Sequence, residues 1–311
     1  MATVVRAQFS DWLGITSALP WLRTVTESGR KRRPEWFQQV FRQESTDRPA
    51  EQYTSIAKFG TVVETDEGAA VTYDSPLQGF DATLTPLQYS LGYKISKIAF
   101  DDDRIGPLKS MASDLGWSWT ESRNIITADE FNNGFSTSYP TPDGAIALFS
   151  TSHVHEDGST FRNTLATAAD FSISSFRTAM IDFRNFRDGR GKRLSLMPES
   201  ILIPPDGYFD VAEVIESDQR PDNANNAKNV QRGFFGGQPM NIIVCDYLTD
   251  TDSWFLIGPK EDHGLVFLER EAFNVVNDVD FDTRTMKTAA WGRFTVGKVN
   301  NGVGIYGSPG A

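Results

Sequence analysis

Ser152-His153-Val154-His155-Glu156-Asp157 is the stretch of this chain best equipped for chemistry. On a strand, residues two apart share a face, so both imidazoles would point the same way and could hold a metal, with Glu156 or Asp157 as oxygen donors. The remaining histidine, His263, is distant, and no third ligand stands at a helpful spacing. A metal-dependent enzyme using His153 and His155 is therefore one reading of the chain, held back by the missing ligand.

Other chemistry-bearing patterns lack the context their chemistry needs. Gly302-Val303-Gly304-Ile305-Tyr306-Gly307 matches G-x-G-x-x-G, yet only Ser308 to Ala311 follow, too few for the helix that would present its N-terminus to a pyrophosphate. The glycines read instead as a bend or a close strand approach. Asp278-x-Asp280-x-Asp282 begins like a calcium loop, but Thr283 stands where the turn needs glycine and Ala289 where it needs a bidentate glutamate. It reads as the polar face of an extended segment. Asp101-Asp102-Asp103 reads as the acidic start of a helix, with metal binding as the sharper alternative. Cys245 follows Ile242-Ile243-Val244 and reads as a buried strand thiol. No G-x-S-x-G and no P-loop is present. The expectation is no catalytic residue, no cofactor and no metal.

These groups must be carried by a chain of 311 residues with 39% hydrophobic and 23% charged content, enough for a sizeable core without disulfides. A single cysteine suits a reducing compartment. The net charge of −11 argues against gripping nucleic-acid phosphates, but not against enclosing them. No apolar run approaches a membrane span, and Met1 to Phe9 lacks a signal-peptide layout, so the chain is expected to be soluble and to stay in the cell that made it.

Along the chain, residues 1–57 look unlike a compact domain: Trp12, Trp21, Trp36 and Phe37 are scattered among charges, and Arg30, Lys31, Arg32 and Arg33 run together. That run is either a solvated face or an arm lying on an acidic neighbour. Phe59 to Glu64 and Ala70 to Tyr73, around Asp66-Glu67-Gly68, give a hairpin signal, and Gln88 to Ser96 alternates like a strand. Such a hairpin has no core of its own and should lie on something else. Pro107 to Asn132 carries helical spacing through Leu108, Met111, Leu115, Trp119 and Ile126, a rod of roughly 40 Å. Ala145 to Phe149 reads as a buried strand. From Asp170 the order is helix, Asp188-Gly189-Arg190-Gly191 turn, the strand Ile201-Leu202-Ile203, Pro204-Pro205, a helix over Tyr208 to Glu216, a polar loop over Asp218 to Gln231, then further strands.

The run from Ala145 to Gly307 resembles the phage Mu-like major head subunit family. Leu148-Phe149-Ser150-Thr151-Ser152-His153 carries the likeness, with Phe183-Arg184 leading to Arg187-Asp188-Gly189-Arg190-Gly191. Ile201 to Pro205 follows, then Tyr247-Leu248-Thr249-Asp250-Thr251-Asp252-Ser253-Trp254-Phe255-Leu256, Trp291-Gly292-Arg293-Phe294 and Gly304 to Ser308. The resemblance implies an α+β, Hong Kong 97-type capsid fold. It would comprise an N-terminal arm over 1–57, an extended loop over 58–96, a peripheral domain over 97–169 with a spine helix over about 107–132, an axial domain over 170–264, and a return to the peripheral domain over 265–311.

It further implies a major capsid protein that self-assembles, as pentamers and hexamers, into an icosahedral shell around the double-stranded DNA of a phage. Scaffold, portal and decoration proteins would be partners, DNA would be enclosed without sequence-specific binding, and no membrane would be involved. The protein would reside in the virion after assembly in the host bacterial cytoplasm. Contacts between subunits are expected at Trp12, Trp21, Arg30, Lys31, Arg32, Arg33, Trp36, Phe59, Val71 and Tyr73. An encapsulin-like nanocompartment is the other shell reading. Lys58, Lys94 and Lys97 carry no mark of cross-linking reactivity, and no removable scaffold segment is expected at the N-terminus.

Overall fold

The computed structural model describes residues 15–96, 98, 106–144, 146–217, 229, 240–280, 282–283 and 285–311. Among the described residues, two four-stranded sheets and four helices build the body, in an α+β arrangement. Helix α1 spans Ile15–Arg30, α2 Gly106–Asn132, α3 Ile173–Arg184 and α4 Tyr208–Glu216. The first sheet has the order β1-β10-β11-β4, with β1 Arg42–Ser45, β4 Leu87–Ser96, β10 Leu265–Val279 and β11 Thr285–Lys298. β1 runs parallel to β10; the other two pairings are antiparallel.

The second sheet has the order β12-β9-β7-β8, with β7 Ser200–Ile203, β8 Asn241–Val244, β9 Trp254–Ile257 and β12 Ile305–Ser308. All residues of β7, β9 and β12 are buried, because both faces of this sheet are covered. That is why Ile201-Leu202-Ile203 and Trp254-Phe255-Leu256-Ile257 read as continuous apolar runs without alternation. Leu202, Phe255, Ile257 and Ile305 face a core shared with Phe131, Phe149 and the first sheet's Phe267 and Phe294. Ile201, Ile203, Leu256 and Tyr306 face the other way, onto Phe176, Met180 and Phe183 of α3 and Val211 and Val214 of α4. Pro204, at φ −70°, and Pro205 turn the chain from β7 into α4 through a short 3-10 turn, as their fixed backbone suits.

The helix expected over about 107–132 is present as α2. Its buried side is Ala112, Leu115, Gly116, Trp119, Thr120, Arg123, Asn124, Thr127, Ala128 and Phe131, one stripe at helical spacing. Asp101 to Asp103 lie outside the described residues, as does most of the polar stretch 218–231.

Four expectations need correction. First, the chain before residue 57 is not coreless: α1 packs on α2, and Trp36, Phe37 and Phe41 are buried with Phe131 and Phe267. A 3-10 turn over Trp36–Gln39 tucks these rings inward, and the Trp36 indole donates to the Asn124 carbonyl of α2. Second, the paired strands of the extended hairpin are β2 (Glu51–Ala57) and β3 (Leu77–Leu84), outside the 59–73 region. Residues 58–76 form the unpaired tip, and the strand over 88–96 belongs to the first sheet. Third, Ile146 to Phe149 is an irregular segment, anchored by burial of Leu148 and Phe149 and not by strand pairing. Fourth, Asp280 and Asp282 sit in the turn between β10 and β11, where the Asp280 carboxylate accepts from the Asp282 and Thr283 amides, so they are not an extended face.

Candidate functional site

The histidine pair sits on β5 (His153–Val154) and just beyond it, paired with β6 (Thr160–Phe161). Both rings do share a side, each stacking near Phe161 at 5.2 and 4.3 Å. The His153 nitrogens are not offered to a metal, however. His153 Nδ1 lies 2.9 Å from Asp143 Oδ2 and Nε2 lies 3.1 Å from the Leu148 carbonyl. Each of its ring nitrogens is thus turned to a protein oxygen and neither faces an open position. Burial alone would raise the Asp143 carboxyl, but hydrogen bonds from His153, Thr141 and the Val154 amide pull it below the usual carboxylate range. Asn163 completes this junction, donating to the carbonyls of Leu148 and Gly302. A side chain at Gly302, at φ +86°, would strike that amide at 2.6 Å. The cluster therefore ties the 141–164 segment to the chain's C-terminal strand. Burial lowers His155, and it lowers His263 to about 4. Burial also pushes the Cys245 thiol up to about 12, far from a nucleophile's range. Among the described residues no three His, Cys, Asp or Glu are placed to hold a metal.

What the body does present is an exposed loop on a stiff footing. In the tip at 58–76, Phe59, Val62, Val63, Val71 and Tyr73 are exposed, Val62 and Tyr73 almost completely. The tip turns at Asp66–Ala69, where the Ala69 amide meets the Asp66 carbonyl at 3.0 Å and Gly68 takes φ +83°. Its base is fastened to the Asp188–Lys192 turn that follows α3. Arg190 Nη1 pairs with Asp74 Oδ2 at 2.7 Å, and the Gly60 amide donates to the same oxygen. Together these hydrogen bonds hold the Asp74 carboxyl below its ordinary value, the Gly60 amide first and Arg190 second. Arg190 also donates to the Ser75 carbonyl, and Lys192 to that of Phe59. Glu156 pins β2 and β3 from below: it accepts from Ser55 at 2.9 Å, and a side chain on Gly79 or on Gly189 would run into its carboxylate arm.

The sequence-expected contact residues fall into three groups. Phe59, Val71 and Tyr73 are exposed on this tip. Lys31, Arg32 and Arg33 are exposed beyond the end of α1, Arg33 lying over the Trp117 ring at 6.0 Å, while Arg30 is half-buried against Glu27 and Phe273. Trp36 is a correction: it is part of this chain's own core and not a surface residue. Trp12 and the side chain of Trp21 lie outside the described residues.

The fold has known counterparts. A family model described as phage capsid protein matches residues 81–307. This chain belongs to the phage capsid protein family. The capsid of Ralstonia phage GP4 aligns at TM-score 0.55 and 9% identity, covering 86% of this chain and 87% of that one. The procapsid of bacteriophage JBD30 aligns at TM-score 0.53 and 12% identity over 95% of this chain and 75% of that one. The virus-like particle from Pyrococcus furiosus aligns at TM-score 0.53 and 9% identity over 92% and 97%. At such identities the likeness speaks to the fold, which is the Hong Kong 97-type capsid fold. No curated protein matches by sequence.

In this major capsid protein, sequence reasoning missed the footing. Glu156, Asp74, Arg190 and Lys192 were not singled out for it. The signal available was the Asp188-Gly189-Arg190-Gly191 turn, whose Gly191 takes φ +76° and whose Asp188 carboxylate receives the Arg190 and Lys192 amides.

Proposed function

We propose that this capsid protein is the repeating subunit of a closed icosahedral shell, arranged as pentamers and hexamers, which encloses phage double-stranded DNA without gripping it. The observation that carries the reading is the footed, apolar loop at 58–76. A monomer gains nothing by holding Val62 and Tyr73 in water on a braced stalk, whereas a subunit among copies of itself can bury them. In this reading residues 1–57 serve as the N-terminal arm, 58–96 as the extended loop, 97–169 with 265–311 as the peripheral domain, and 170–264 as the axial domain around the symmetry axes. Contacts between subunits would centre on Phe59, Val71, Tyr73 and Lys31 to Arg33. An acidic wall suits enclosure, since it repels packed phosphate.

Membership in a structural family, together with a His153 ring engaged by Asp143 and the Leu148 carbonyl, supports a role without catalysis. Residence in the virion, assembly in a bacterial cytoplasm, a scaffold, a portal and decoration proteins belong to the same reading, as does the closer kinship with Mu-like head subunits. No helix among the described residues is long and apolar enough to cross a membrane.

The second shell reading is an encapsulin-like nanocompartment around protein cargo, and a virus-like particle from Pyrococcus furiosus shares the fold. Expression in bacteria with negative-stain imaging and analysis of particle contents tests both. Shells holding nucleic acid, or empty shells that fill when supplied with a packaging system, support the phage reading. Shells that consistently co-purify with one cargo protein support the other, and persistent monomers overturn both.

A further inference from the structure

We infer that the acidic tip of the 58–76 loop seats on the Lys31–Arg33 run of a second copy of this chain. The inference rests on the shell reading and names the partners of one of its contacts. Glu64, Asp66 and Glu67 crown the loop, exposed and in no ion pair among the described residues. They sit amid Val62, Val63, Val71 and Tyr73, so the tip offers an apolar patch with a negative crest. The chain's run of four consecutive basic residues lies elsewhere, at the end of α1. Arg30 is occupied by Glu27, and its place in the last helical turn is accounted for by the helix dipole. Lys31 and Arg32 lie beyond that turn, exposed and in no ion pair among the described residues, and Arg33 rests over the Trp117 ring. This second surface is thus positive, with an aromatic floor.

Within one chain the two do not meet. The loop is fastened to the Asp188–Lys192 turn, whereas the basic run is held on α2, where Thr120 Oγ1 donates to the Arg30 carbonyl at 2.9 Å. The footing also keeps the tip from folding back. Opposite charge on two surfaces of one molecule that do not meet within it makes a head-to-tail contact between copies, the kind that closes into rings. Double-stranded DNA is the rival occupant of the basic run, and the chain's overall charge of −11 disfavours it.

The test is charge reversal in three full-length variants: Glu64→Lys/Asp66→Lys/Glu67→Lys, Lys31→Glu/Arg32→Glu/Arg33→Glu, and all six changes together. Circular dichroism melts check that each folds; all six residues are exposed. Self-association is read by sedimentation velocity at low salt, and shell yield by micrographs. Each single-surface reversal should lower association by about tenfold or more, and the six-fold variant should recover most of it. Normal assembly of either single-surface variant, or no recovery in the combined one, overturns the pairing. So does loss of double-stranded DNA retention on reversing the basic run while association is unchanged. Because sedimentation reports small oligomers, the pairing remains readable even if the wild-type protein never closes a shell, a result that would count against the shell reading alone.

Discussion

Replacing Arg123 by Met should cost this subunit about 3–5 kcal/mol, because it strands a buried charge. Arg123 projects from α2 into the space between Phe37, Phe267 and Phe294, its guanidinium 4.7–5.7 Å from those rings. Glu35 lies 3.1 Å from its Nη1, and both side chains are only 8% exposed. That contact lacks hydrogen-bond alignment, so the attraction is chiefly coulombic. Burial pushes Arg123 below its ordinary value and the two glutamates pull it back up; it stays cationic at neutral pH. Glu269, at 3.6 Å, is 32% exposed and can turn to water when Arg123 is lost. Glu35 cannot, and it supplies most of the cost. Met fills similar volume, so the cavity contribution is small. Adding Glu35→Leu should therefore bring stability back to within about 1 kcal/mol of wild type. Urea unfolding of unassembled subunits measures both variants and yields the coupling. A loss below about 1 kcal/mol in the single variant, or a double variant as poor as the sum of two singles, would refute this reasoning.

Gly116→Ala should destabilise the packing of α1 on α2 by about 1–3 kcal/mol or more, since the new methyl would sit 2.0 Å from the Thr26 carbonyl, a backbone atom that cannot swing away; differential scanning calorimetry reports it. Stability should fall as pH drops from about 6.5 to about 4, the window in which the unfolded chain binds a proton that buried His263 refuses. The His263 share of that loss is on the order of 3 kcal/mol and is removed by His263→Asn, leaving the part due to His155, as denaturant midpoints across pH will show. Cys245 should resist thiol reagents at pH 8 until the chain unfolds. Arg190→Ala should leave the global melt nearly unchanged, because the pair is partly solvated, yet speed proteolysis within residues 58–76 as the loop loses its footing.

The elements with strong local signals were legible. The helix over Pro107 to Asn132, the Pro-Pro corner and the helix over Tyr208 to Glu216 follow from spacing and backbone chemistry that act locally. The buried face of α2 was harder, because Thr120, Arg123, Asn124 and Thr127 sit on it and are satisfied only by distant partners such as Glu35 and the segment of Arg30 to Trp36. The chain before residue 57 misled for a related reason. Its aromatics look unburied until the parallel pairing of β1 with β10, some 220 residues away in sequence, brings Phe37 onto Phe267. The hairpin register was displaced because Val-rich runs at the tip carry strand propensity without partners, while β2 and β3 contain Glu51, Gln52, Asp81 and Gly79 and look weaker than they are. The loop's footing was invisible since Glu156, Arg190 and Asp74 are far apart in sequence and acquire meaning only where Gly79 and Gly189 let the backbones close in.

The central claim is that copies of this chain bury the 58–76 loop against one another in a closed shell. Cryo-electron microscopy of the purified, assembled protein tests it most directly. The account predicts icosahedral particles built of this subunit, with density for the loop lying on a neighbouring copy. Particles whose loops stay free in solvent, or a sample that remains single chains of 311 residues at every concentration and with every scaffold tried, would contradict it.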